Sequence, residues 1–466
     1  MTNHCIEWKH SFNGIAKRKS MKGFGESSRN NNKKSLFKNK NNLNQKKLLT
    51  EASKLHSQGK ILDAAKYYQL FIEKGFNDPI VFSNYGLILK QLGQTEEAIK
   101  LYRKAIELFP KYANAHYNLG NALRDLGRPE DAEVSIRTAI KHNPNFASAH
   151  ANLGGILIDL GDLKEAEIAT RKAIELDQNC PITHSNLGLI LRDLGKAKEA
   201  ELSSRRAIEL NPNFADAHST LGNILRDQGR FQEAEVSSRK VIELNPNFAN
   251  ANLHLGNILR DQGKLEEAEI STRKAIKLNP NFTNANLNLG NILRDQGKLE
   301  EAAILTRKAI KPNPKFADAH SNLGNILRDQ GKLEEAEIST RKAIELDPKL
   351  ADAHSNLGGI LRDIGKLKEA EVSTRIAIEL DPTHANAHSN LGGILRDSGK
   401  TKEAEIATRK AIEIDPNSLI AHSNLGNILR DQGKIEEAVL CSKKIMSISS
   451  WSIIGSYSFN YHLKSG

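Results

Sequence analysis

Asparagine stands at residues 84, 118, 152, 186, 288, 322, 356, 390 and 424, and the steps between neighbours are 34 or a multiple of 34. An asparagine side chain both donates and accepts, so a ladder of them can pair with the C=O and N–H groups of an extended peptide whatever its sequence. Three residues further on, Asn121, Asn223, Asn257, Asn291, Asn325 and Asn427 make a second column. Three beyond that, arginine stands at 124, 192, 226, 260, 294, 328, 362, 396 and 430, and an aspartate follows in every copy from Asp125 to Asp431. Arginine adds bidentate contacts to a carboxylate or a phosphorylated side chain. The candidate peptide-binding set is therefore Asn118, Asn152, Asn186, Asn288, Asn322, Asn356, Asn390 and Asn424, with Asn257, Asn291, Asn325, Arg226, Arg260, Arg294 and Arg328 beside them. The competing reading is a solvated face on which arginine and aspartate pair between adjacent helices, each exposed pair contributing little.

Histidine also recurs, at 116, 150, 184, 218, 320, 354, 388 and 422, and a histidine column raises the question of metal. Zinc ligands sit about 2 Å from one ion, whereas successive stacked helices are on the order of 10 Å apart. Consecutive members cannot share an ion, so the column reads as structural and neither metal nor cofactor is expected. The chain has no Gly-rich phosphate loop, no nucleophile elbow and no HExxH motif, and it is read as non-enzymatic.

These columns need elements to hold them in line. The phrase LGNILRDQGKLEEA occurs unchanged at 255–268, 289–302 and 323–336. Sliding the sequence by 34 aligns almost everything after residue 44, giving twelve units that start at Gln45, Pro79, Ala113, Ala147, Pro181, Ala215, Ala249, Thr283, Ala317, Ala351, Ala385 and Leu419. In the unit 317–350 the pattern predicts one helix from about Ala317 to Gln330, stopped by Gly331, and a second from about Leu333 to Leu346, stopped before Pro348. At about 100° per residue His320, Leu323, Gly324 and Leu327 share the buried face of the first helix, opposite Asp318, Ser321, Asn322, Asn325, Arg328 and Asp329. In the second helix Leu333, Ala336, Thr340, Ala343 and Ile344 are expected inside, and Glu334, Glu335, Glu337, Arg341 and Lys342 outside. Gly324 and Ala336 are small where the two helices must meet. One hairpin cannot cover its own apolar stripe, so neighbours must stack.

The unit length, with Leu323, Gly324, Leu327, Ala336, Ala343 and Pro348 at unit positions 7, 8, 11, 20, 27 and 32, resembles the tetratricopeptide repeat, over residues 45–452. The resemblance implies an all-α, right-handed superhelical solenoid with first helices lining a concave groove. The Asn ladder at unit position 6 further resembles the groove of the repeat domain of O-linked N-acetylglucosamine transferases, which hold substrate polypeptides this way. The chain departs from the family at position 4, which is mostly His, and at position 24, mostly Thr or Ser, where the family has large aromatics; Phe82, Tyr68 and Tyr102 keep the aromatic habit. A hydrogen bond between the His at 4 and the Thr at 24 is the expected replacement.

Composition sets the remaining bounds. Of 67 basic and 56 acidic residues, ten basic and two acidic fall in 1–44, leaving 57 against 54 in the body. The net charge of +11 is thus concentrated in the N-terminal arm, and nucleic acid is expected to feel only that arm. Residues 1–44 read as a disordered basic arm, with Met21 an alternative start, and 453–466 as a separate Ser- and aromatic-rich tail. Cys5, Cys180 and Cys441 show no metal spacing. No apolar run reaches the length of a membrane span, and three widely separated cysteines suit a reduced compartment, so a soluble cytoplasmic protein is expected. The leading functional expectation is a non-catalytic scaffold binding extended polypeptide in its groove, with self-association open. The alternatives are the substrate-recruiting arm of a glycosyltransferase-like system with its catalytic part absent or separate, an empty structural spacer, and a basic-tail nucleic-acid adaptor.

Overall fold

The structure, a computed structural model, describes residues 30–457, with side chains described from 44 to 448. The described residues form 24 α-helices and no strand. These alternate as first and second helices of twelve hairpins, from Asn30–Ser57 with Ile61–Glu73 to Leu419–Asp431 with Ile435–Tyr457. The chain is thus an all-α stack of helix hairpins, and it divides after Leu244 into two compact units.

The hairpin Ala317–Asp329 with Leu333–Leu346 shows why the sequence folds so. Gly331 takes φ +75°, a left-handed turn that L-residues avoid, and the N–H of Lys332 then reaches the Leu327 carbonyl at 2.9 Å to close the first helix. Ala336 is fully buried, and a Cβ built on Gly324 would lie 3.3 Å from its carbonyl and against the Thr340 hydroxyl. The close approach read from the two small residues is what brings the helices together.

Three expectations on the helix faces are corrected. Ser321, placed on the solvent side by the helical wheel, is 3% exposed, because the next hairpin covers that flank of the first helix. His320 is half-buried, and Leu333 and Ile344 likewise. The expected bond between position 4 and position 24 does not form. The Nε2–H of His320, His354, His388 and His422 instead donates to the backbone carbonyl six residues earlier, that of Pro314, Pro348, Pro382 and Pro416, at 3.0 to 3.1 Å. The hydroxyls of Thr306, Thr340, Thr374 and Thr408 turn back on the carbonyl four residues earlier in their own helix, at 2.8 to 2.9 Å. The neighbouring serine supplies the cross-helix contact, Ser339 donating to the His320 carbonyl at 2.9 Å and Ser373 to that of His354 at 3.0 Å.

Burial is spread along the stack in small local cores. One of them joins Leu289, Leu293 and Ala302 to Leu323, Ile326, Leu327 and Ala336 and then to Ile360, three consecutive hairpins contributing to a single cluster. Between second helices an ionic net repeats. Glu337 lies between Arg341 of its own helix, at 2.8 Å, and Lys366 of the next hairpin, at 3.0 Å, while Arg341 also reaches Glu369 at 3.1 Å. Glu269 and Glu405 occupy the same place, and Lys298 and Lys434 respectively, before any other group, hold their carboxyls down at about 2 from an ordinary 4.5.

At the ends, the helix Asn30–Ser57 begins inside the segment 1–44 assigned to a disordered arm, and the helix Ile435–Tyr457 runs past 452. Met21, Cys5 and the rest of residues 1–29, with 458–466, lie outside the described residues. No helix among the described residues is long and apolar enough to cross a membrane.

Candidate functional site

Within each compact unit the first helices of successive hairpins approach one another, whereas the second helices lie further apart. The first-helix face is therefore the inner side of the bend, and the columns at positions 6, 9, 12 and 13 stand on it. All eight position-6 asparagines of the candidate set are half-buried, as are Asn257, Asn291 and Asn325.

The asparagine amides are used between hairpins. Nδ2 of Asn118 donates to the Ser83 hydroxyl at 3.0 Å, and that of Asn356 to the Ser321 hydroxyl at 3.0 Å. Asn390 and Asn424 reach the hydroxyls of Ser355 and Ser389 at 3.2 and 3.0 Å. Where the residue before is not serine, the partner changes. Asn152 donates to the Tyr117 hydroxyl at 3.0 Å and to Oδ1 of Asn121 at 2.6 Å, and Asn288 donates to Oδ1 of Asn257. Position 6 thus reaches back to position 5 or 9 of the preceding first helix. Ser321, Ser355 and Ser389, which tie the column down, were missed by sequence reasoning; their recurrence in a polar stripe beside the asparagines was the available signal.

The arginine column resolves toward the pairing reading. Nε of Arg260 donates to Asp295 at 2.6 Å and that of Arg328 to Asp363 at 2.5 Å, each aspartate lying 35 positions on in the next hairpin. Arg294 pairs in the same way with Asp329. In the other compact unit Arg124 pairs with Asp159 at 2.6 Å, and its Nη2 also donates to the Gly155 carbonyl at 3.1 Å. From the hairpin starting at Pro79 onward, position 12 is not arginine at two places: Lys90 takes its part and meets Asp125 at 2.9 Å, whereas Ile158 carries no charge. Arg226 stands half-buried on the helix Ala215–Asp227. The paired guanidiniums are already committed to carboxylates, so the ladder offers a balanced ionic rail along the floor of the bend and not a row of unclaimed cations.

A second feature lies between the second helices Leu333–Leu346 and Leu367–Leu380 and the first helix Ala351–Ile364, where a cleft of about 610 Å³ is lined by Ile344, Leu357, Leu361, Val372 and Ile376 together with Arg341, Glu345, Lys368 and Glu369. Ile376 occupies the position of Lys342 and Lys410 in neighbouring hairpins, which makes this cleft more apolar than its repeats.

Comparison with known proteins places the repeat. Residues 36–284, just over half of the chain, match the family model described as Cilia and flagella-associated protein 70 C-terminal domain. Tetratricopeptide-repeat models match residues 317–350, 385–418, 272–303 and 407–439, and a TPR repeat model matches 290–327. The matches at 317–350 and 385–418 have the bounds of whole units. No curated protein matches the chain. Among solved structures, the crystal structure of the yeast Tom70 is similar over 86% of this chain and 99% of that chain, at 19% identity and a TM-score of 0.45.

Proposed function

Because the chain belongs to the family of the Cilia and flagella-associated protein 70 C-terminal domain, an array of tetratricopeptide repeats, we propose that it is a non-catalytic scaffold that holds extended polypeptide against its first-helix face. The observation that carries this reading is the anchoring of the position-6 asparagines. With an amide hydrogen held by the preceding helix, as in Asn356 and Asn390, the side chain is fixed in one rotamer and its carbonyl oxygen is left to accept a backbone N–H.

The spacing suits a partner without secondary structure. Packed helices repeat at roughly 10 Å, and three residues of a polyproline-II segment rise about 9 Å. One asparagine therefore meets every third backbone N–H of such a peptide, a recognition indifferent to sequence. The buried, unbonded thiols Cys180 and Cys441 are compatible with a cytoplasmic setting.

The test begins with polypeptides retained from a lysate by the full chain. A peptide from such a partner, long enough to span several hairpins, is then compared with a version N-methylated at every third residue. The reading expects at least tenfold weaker binding for the methylated peptide, and for the protein carrying Asn322→Ala, Asn356→Ala, Asn390→Ala and Asn424→Ala. The pair Ser321→Ala and Ser355→Ala keeps the asparagines but frees the amides of Asn356 and Asn390 from their anchors, and is expected to give an intermediate loss. Equal binding by all of these would make the column architecture and sink the proposal.

A further inference from the structure

From the third hairpin onward the second helices carry an aliphatic residue where solvent is expected. In the hairpin starting at Pro79, position 21 is Ile99, 3% exposed, and position 22 is the exposed Lys100. In the next hairpin the order reverses to Glu133 and then Val134, and every later hairpin keeps an aliphatic residue at position 22, 60 to 71% exposed. Where position 21 is an acid, it is drawn into the net between second helices, and the aliphatic side chain stands outward. A chain of this composition does not need exposed isoleucine at a fixed place in hairpin after hairpin, and a repeated exposed apolar column marks a contact surface.

The charges around the column say what covers it. Positions 18 and 26 lie four residues to either side of position 22, on the same face of the helix. In the helices Leu265–Leu278, Leu299–Ile310 and Leu333–Leu346, position 18 is Glu266, Glu300 or Glu334 and position 26 is Lys274, Lys308 or Lys342. We propose that this face binds a second copy of the chain, with the two-fold axis running along the column. That axis lays each helix antiparallel on its own copy. Ile270, Ile304 and Ile338 then meet their equivalents, and every position-18 glutamate faces a position-26 lysine. The hairpins starting at Pro79 and Leu419 repeat the pair, as Glu96 with Lys104 and Glu436 with Lys444, but in others the pattern opposes such pairing. Positions 18 and 26 are Lys402 and Lys410 in the helix Thr401–Ile414, and Lys164 and Lys172 in Leu163–Leu176, so a copy laid on either would set lysine against lysine.

The three helices present about 20 Å of length across roughly 30 Å of stack, on the order of 600 Å² per chain. That lies at the low end of specific interfaces, so an affinity in the micromolar range is expected. Lys342 bonds Glu345 in its own helix at 2.7 Å, an exposed pair that exchanges partners at little cost.

Sedimentation equilibrium of the full chain between about 1 and 100 µM tests this, with 51.6 kDa as the monomer mass. The mass is expected to approach twice that value as concentration rises. The triple variant Ile270→Glu, Ile304→Glu, Ile338→Glu should stay monomeric with its helical signal unchanged, since these side chains are largely exposed already. Two further chains test the charge register: one with Glu266→Lys, Glu300→Lys and Glu334→Lys, the other with Lys274→Glu, Lys308→Glu and Lys342→Glu. Each should be monomeric alone, and mixing them should restore a dimer. A native chain that is monomeric at the top of that concentration range overturns the proposal, including the case in which a different protein covers the face. So does a dimer that survives the three isoleucine substitutions, or charge variants that fail to complement. None of these outcomes bears on the asparagine column, which lies on the other helix of each hairpin.

Discussion

Replacing Gly324 by alanine sets two effects against each other. Removing a glycine from a helix interior gains up to about 1 kcal/mol in helix propensity, but the added methyl meets the Thr340 hydroxyl and the Ala336 carbonyl. The Thr340 hydroxyl is held by its bond to the Ala336 carbonyl at 2.9 Å, so the clash is relieved by separating the helices, at about 1 to 3 kcal/mol. Gly324→Ala should therefore lower the urea midpoint, and adding Thr340→Ala should recover part of the loss. At position 4 the chain supplies its own control, because Asn252 and Asn286 stand where other units have histidine and bond the Phe248 and Phe282 carbonyls at 3.1 and 3.0 Å. His354→Ala should cost about 1 kcal/mol, and His354→Asn less, by the same denaturation measurement. The types and spacing of these residues were legible in the sequence, and so was the structural role of the histidines. Their partners were not. A backbone carbonyl has no letter of its own, and the path of the linker at Pro348 decides which one the imidazole reaches. The arginine column was ambiguous for a related reason, since a partner in the next hairpin is chosen by stacking and not by local pattern.

Hairpins were the most legible level, because Gly331 and Pro348 punctuate two amphipathic runs of fixed length. What the helical wheel left out was the second set of neighbours. Ser321 is polar yet buried because another first helix lies beside it. The wheel assigned Ile338 to neither face, although its place two positions on from the buried Ala336 sets it on the opposite side of the helix. The ionic net between second helices carries its own prediction. Glu269 and Glu405 have carboxyls depressed to about 2 by lysine and arginine partners, so their contribution to stability is fully present above pH 4.5 and is lost as pH falls toward 2. Thermal melts over that interval should show a falling midpoint. Combined Glu269→Gln and Glu405→Gln should begin from a lower midpoint at neutral pH and fall less steeply, and added salt should narrow the difference between the two proteins.

At the scale of the molecule, helices within each compact unit pack against those of neighbouring hairpins, and this makes each hairpin replaceable. Removal of residues 317–350 in frame would bring Arg294 to Asp363, the partner that Arg328 has now, with every column still in register. The shortened protein should keep its helical signal per residue by circular dichroism and melt a few degrees lower, whereas removal of 317–333 alone should abolish the cooperative transition, since it leaves a second helix without its first. The same neighbour-to-neighbour bonding has a mechanical side. Bonds arranged one after another carry the same load, as springs in series do, and the weakest yields first. Pulled from its ends, either compact unit should therefore lengthen in discrete steps, each releasing one hairpin, about 115 Å of contour. It should recoil the same way when the force is withdrawn. An array held by such links behaves less like a rigid rod than like an extensible tether with a preset step, and single-molecule stretching would read that step directly.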